Sequence, residues 1–100
     1  MLDNYIFSLL EEAISRCNLK LTEELKAIYK IKYNELRIDL QDVSLLETIS
    51  NDDKNELVEK ISKKIASVDE DQRIIEVFFH EVTETIDYVY NLIISKQLGG

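Results

Sequence analysis

Proline is absent, and the only glycines are Gly99 and Gly100, at the end of a chain of 100 residues. Glycine supplies the positive-φ conformations of tight hairpin turns, while proline ends helices and presets turn geometry. A chain without them must turn on Ser, Thr, Asn and Asp, whose short side chains cap helices and bond back to nearby backbone. It also lacks any glycine-rich loop that would cradle a phosphate or a dinucleotide. Helices joined by polar connections are what remains.

The apolar residues recur at helical spacing. Ile6, Leu9, Leu10, Ala13, Ile14 and Cys17 trace one stripe, with Ser8, Glu11, Glu12 and Ser15 opposite. A first helix is expected from about Asn4 to Cys17, with Asp3 as its N-cap and Asn18 as its stop. Thr22 caps the second helix, whose stripe of Leu25, Ile28 or Tyr29, Leu36, Leu40 and Val43 meets no breaker. That helix is expected to end between Ile38 and Asp42. Ser44-Leu45-Leu46-Glu47 fits a capping box and predicts a short helix through Ile49. Ser50-Asn51-Asp52-Asp53 opens the third long helix, with Leu57, Val58, Ile61, Ile65 and Val68 inward. Capping boxes at Ser67–Glu70 and Asp69–Gln72 open a last helix running to about Lys96, centred on Ile75, Phe78, Val82, Ile86, Val89 and Ile93. The expected fold is all-α: one domain over residues 1–100, a small antiparallel four-helix bundle with a short extra helix between helices 2 and 3.

Charge narrows the partners. Acidic residues outnumber basic ones by 20 to 12, a net −8. Nucleic-acid phosphate and anionic membrane both need a positive footprint, so neither is expected as a direct partner. A cationic protein surface is. Residues 20–37 hold five basic and three acidic groups, whereas 39–59 and 69–90 each hold seven acidic and one basic. Cys17 is the only cysteine, so no internal disulfide forms. The N-terminus is acidic where a signal peptide would be basic, and no apolar run approaches the roughly 20 residues of a membrane span. A cytoplasmic location is expected.

On the last helix, Glu76, His80, Glu84 and Asp87 fall within roughly 80° of one another, opposite the apolar line. Steps of four bring a histidine and carboxylates together, but the second histidine of a His-Glu-x-x-His zinc site is missing. A solvated acidic face is expected there, with no metal and no cofactor. Helix capping explains Asp52, Asp53, Asp69, Glu70 and Asp71 and leaves Glu76, Glu81, Glu84 and Asp87 for a partner. Asp39, Asp42 and Glu47 in the mid-chain connection join them. Tyr33 and Tyr88 sit at the edges of their apolar arcs, where a tyrosine anchors an interface or borders a core, and Tyr29 and Tyr90 raise the same question. Cys17, on a buried stripe, reads as a small core residue.

Arg73 and His80, separated by six residues near the start of a late helix in a small all-α chain, resemble the arginine–histidine pair of HEPN-type ribonucleases. The resemblance implies two side chains acting on an RNA phosphate in a dimeric site. Ile74 stands where that family usually has a polar residue.

Three functions follow as expectations. The first is a non-enzymatic inhibitor of an immunity-protein or antitoxin type, covering the basic surface of a nuclease-type toxin. Its partner-binding residues would be Glu76, His80, Glu81, Glu84, Asp87, Tyr88, Asp39, Asp42 and Glu47. The alternative is a self-associating helical module, a homodimer covering apolar residues such as Ile93, Ile94 and Leu98. The third is the HEPN-like ribonuclease.

Overall fold

Short polar side chains of Thr22, Asp39 and Ser50 start the three middle helices, as the missing glycines and prolines require. In the computed structural model, which describes residues 4–98, Thr22 Oγ1 accepts the Leu25 N–H at 3.2 Å and Ser50 Oγ accepts the Asp53 N–H at 3.1 Å. The elements are α1 (Asn4–Arg16), α2 (Glu23–Leu36), α3 (Leu40–Glu47), α4 (Asn51–Ile65) and α5 (Asp71–Leu98), with no strand among the described residues. The fold is the expected helical bundle, with its short extra helix in the expected place. Asp3, expected to cap α1, lies outside the described residues.

α1 ends as its sequence suggests. Asn18 takes a left-handed φ of 59°, its N–H bonds the Ser15 carbonyl, and the Leu19 N–H reaches back to Ile14 at 3.1 Å. This is a Schellman stop built on asparagine in place of glycine.

The end of α2 differs from expectation. The helix stops at Leu36, because Arg37 adopts the left-handed conformation (φ 56°, ψ 43°). That turn tucks Ile38 into the core and leaves Leu36 and Leu40, expected on the buried stripe, exposed. The capping box consequently falls at Asp39 and Asp42 rather than at Ser44 and Glu47. The Asp39 carboxylate accepts the Asp42 N–H at 3.0 Å, and the Asp42 carboxylate accepts the Asp39 N–H at 3.4 Å. Ser44 sits inside α3. A non-glycine residue in this conformation costs about 1–2 kcal/mol. Arg37→Gly is therefore expected to raise stability by about 0.5–1 kcal/mol, once glycine's greater unfolded-state entropy is subtracted. Urea unfolding checks this, and a loss of stability would contradict it.

α5 is the axis of the fold. It packs against α2, α3 and α4, while α1 packs on α4 and α3. Lys60 and Lys64 of α4 meet Glu81 of α5, while Asp53 and Leu57, earlier in α4, line one groove with Thr85 and Tyr88, later in α5, so α4 and α5 run antiparallel. Between α1 and α4 the contacts climb together, from Tyr5 over Lys54 to Cys17 beside Ser62, so these two run in the same sense.

Tyr29 forms the centre of an aromatic cluster. It stacks on Phe79 at 5.2 Å, meets Phe7 edge-on at 5.1 Å, and lies 5.8 Å from Tyr33 and 6.3 Å from Phe78. Through these rings α1, α2 and α5 share one core. Tyr29 and Tyr33 are core residues; Tyr88 and Tyr90 are exposed.

Candidate functional site

The α4–α5 pair builds a groove. On α4, Asp53, Glu56, Leu57 and Lys60 recur at steps of one helical turn; on α5, Glu81, Glu84, Thr85, Tyr88 and Val89 do the same. The two rows, together with Ile49, line a groove of about 460 Å³. Leu57 and Val89 are buried and form an apolar floor; Asp53, Glu56 and Glu84 are exposed carboxylates at the rim. Tyr88, 64% exposed, stands on one wall. Carboxylates outnumber the single groove cation, Lys60.

Glu81 is the exception among these acids. Only 2% exposed, it belongs to the protein's own electrostatics rather than to an outer face. Lys64 Nζ donates to its Oε2 at 2.7 Å, and Lys60 Nζ lies 3.7 Å from Oε1. Burial pushes the Glu81 carboxyl up, but the Lys64 hydrogen bond and the charges of Lys64, Lys60 and His80 outweigh it and hold the carboxyl below the usual range. The same hydrogen bond pushes the Lys64 ammonium up.

A carboxyl depressed in the folded state contributes stability that is present above its unfolded value and lost as pH falls through its folded one. Glu81→Gln is accordingly expected to cost about 1–2 kcal/mol at pH 7, Lys64 being half-exposed and partly screened. The gap between wild type and variant should narrow below about pH 4, the ordinary glutamate range. Thermal unfolding across pH 7 to 3 checks this; a gap constant with pH would contradict it.

The expected partner-binding residues separate in space. Glu84 and Tyr88 line the groove together with the carboxylate of Glu81, and His80 stands beside them, its Nε2 3.3 Å from Glu84 Oε2. Glu76 and Asp87 are exposed on α5 without lining the groove. Asp39 and Asp42 serve as each other's helix cap. Glu47, at the end of α3, lies near Tyr5, whose hydroxyl is pushed up by burial and by the charges of Glu47 and Glu12. Sequence reasoning passed over Asp53, Glu56 and Lys60. Asp53 reads from the sequence as a helix start, yet the 53–56–60 spacing places these residues on one face.

His80, Glu81 and Glu84 bring ligand-type atoms within 4.8 Å of one another. Lys64 and Lys60 pair with the Glu81 carboxylate of this cluster. Arg73 and His80 are both exposed on α5, about two turns apart. Cys17 is half-buried, its thiol donates to the Ser62 carbonyl at 3.0 Å, and burial pushes its pKa up. Both effects favour the neutral thiol over the thiolate.

No helix among the described residues is long and apolar enough to cross a membrane. Comparison with known protein families, curated proteins and solved structures finds no match to this chain.

Proposed function

We propose that the protein is a non-enzymatic binding module that grips the cationic surface of another protein in the α4–α5 groove. The specific form favoured is an immunity-type inhibitor or antitoxin covering the basic, nucleic-acid-gripping surface of a nuclease-type toxin in the cytoplasm. One observation carries the reading: Asp53, Glu56 and Glu84 ring an apolar floor beside the exposed Tyr88. Carboxylates at a rim steer and orient a basic partner, while a rigid aromatic with a polar tip supplies contact area. Binding at this groove uses carboxylates that neither cap a helix nor pair with a lysine, Glu56 and Glu84 above all.

The test is affinity capture from the native host, followed by association kinetics of the purified pair. The captured protein is expected to be basic, and its on-rate to fall by about tenfold or more between low and physiological salt. An on-rate indifferent to salt contradicts the reading.

A further inference from the structure

The C-terminal third of α5 differs from the rest of the surface. In a chain with 32% charged residues, positions 88–95 carry no charge at all. Tyr90, Leu92 and Ile93 are exposed there along with Tyr88, and Ile94 is half-buried. The cause is length. α5 has 28 residues against 15 in α4, so at 1.5 Å per residue it spans about 42 Å and outruns the helices that cover its start. The core line of Val82, Ile86 and Val89 continues one turn further to Ile93, and there the cover ends.

We propose that this end of α5 is a homodimer contact, the occupant being a second copy of the chain. A twofold contact sets one surface against itself, so any charge near its axis opposes its own equivalent. Two copies each carrying −8 repel across most of their surfaces; the uncharged stretch is where they can meet. An antiparallel crossing of the two helices on the face of Tyr90 and Ile93 sets the uncovered end of one copy's core line against that of the other. A basic partner gains nothing from an uncharged face and is drawn to the acidic groove. The exposed area belongs to a few side chains, which places the contact among small, reversible interfaces.

Sedimentation of the full chain from micromolar to millimolar concentration tests this. Dimer is expected to grow with concentration and to strengthen with salt, because screening weakens the repulsion between like-charged copies. Binding of a basic partner at the groove weakens with salt, so the two surfaces are told apart by sign. Ile93→Glu combined with Tyr90→Glu, both exposed in the monomer, is expected to weaken dimerisation at least tenfold. In the unmodified chain, amide exchange across 90–96 is expected to slow as concentration rises. Monomer alone at millimolar concentration and high salt overturns the proposal. So does a dimer that forms with no protection at 90–96.

Discussion

Phe79→Ala is expected to cost about 3–5 kcal/mol of unfolding free energy, the largest effect of any single substitution considered. Phe79 is 1% exposed and touches three rings: Tyr29 stacked at 5.2 Å, Phe78 edge-on at 5.1 Å and Tyr33 at 6.4 Å. Truncation removes the ring's own burial and opens a cavity between α2 and α5, two helices far apart in sequence. It also leaves Tyr29 without its stacking partner, a loss of about 0.5–1.5 kcal/mol beyond area. Domains of this size hold only about 5–15 kcal/mol in reserve, so the variant is expected to be partly unfolded at 37 °C. Urea unfolding followed by circular dichroism measures the effect. A loss below about 1 kcal/mol would mean that the cluster is not what joins α2 to α5.

Reversing the groove's charge is the second large effect expected. Glu56→Lys with Glu84→Lys replaces two exposed rim carboxylates by cations. For a basic partner this converts attraction into repulsion at the point of contact, and an affinity loss of at least about 100-fold is expected. Tyr88→Ala is expected to cost about tenfold or more on its own, chiefly in dissociation rate. All three side chains are exposed, so stability should move by no more than about 0.5 kcal/mol. Weakened binding with unchanged unfolding is the signature of a recognition surface.

The sequence made the fold legible wherever a polar residue punctuates an apolar stripe. Thr22, Ser50 and Asn18 stand where their cap and stop functions predict, because those signals are local. The end of α2 was hidden, since nothing local forbids a helix through Arg37. The chain turns there because Ile38 gains a place in the core, a tertiary effect that no nearby residue announces. Glu81 is the same lesson at the site. Its helix position borders the outward-facing Glu84 and His80, and only the approach of Lys60 and Lys64 from α4 makes it an internal group. Glu84 and Tyr88 could be picked out because they lie on one helix. Asp53 and Glu56 could not be joined to them without knowing that α4 and α5 pack side by side.

Composition makes every carboxylate alike, and the structure does not. Asp39 and Asp42 satisfy backbone donors, Glu81 pairs with Lys60 and Lys64, Glu12 pairs with Arg16 and Lys54, and Glu23, Glu35 and Glu59 pair with lysines on their own helix. Among those left, Asp53, Glu56 and Glu84 share the α4–α5 seam, next to an apolar floor and an exposed aromatic. The central claim is therefore about place as well as sign.

The most direct test is an amide chemical-shift map of the isotope-labelled protein titrated with a lysine- and arginine-rich helical peptide. The expected perturbations cluster at Asp53, Glu56, Leu57, Lys60, Glu84, Thr85 and Tyr88, and vanish in the Glu56→Lys, Glu84→Lys variant. Shifts spread evenly over remote carboxylates such as Glu11, Glu24 and Glu70, or shifts that survive the double reversal, would contradict the groove as the binding site.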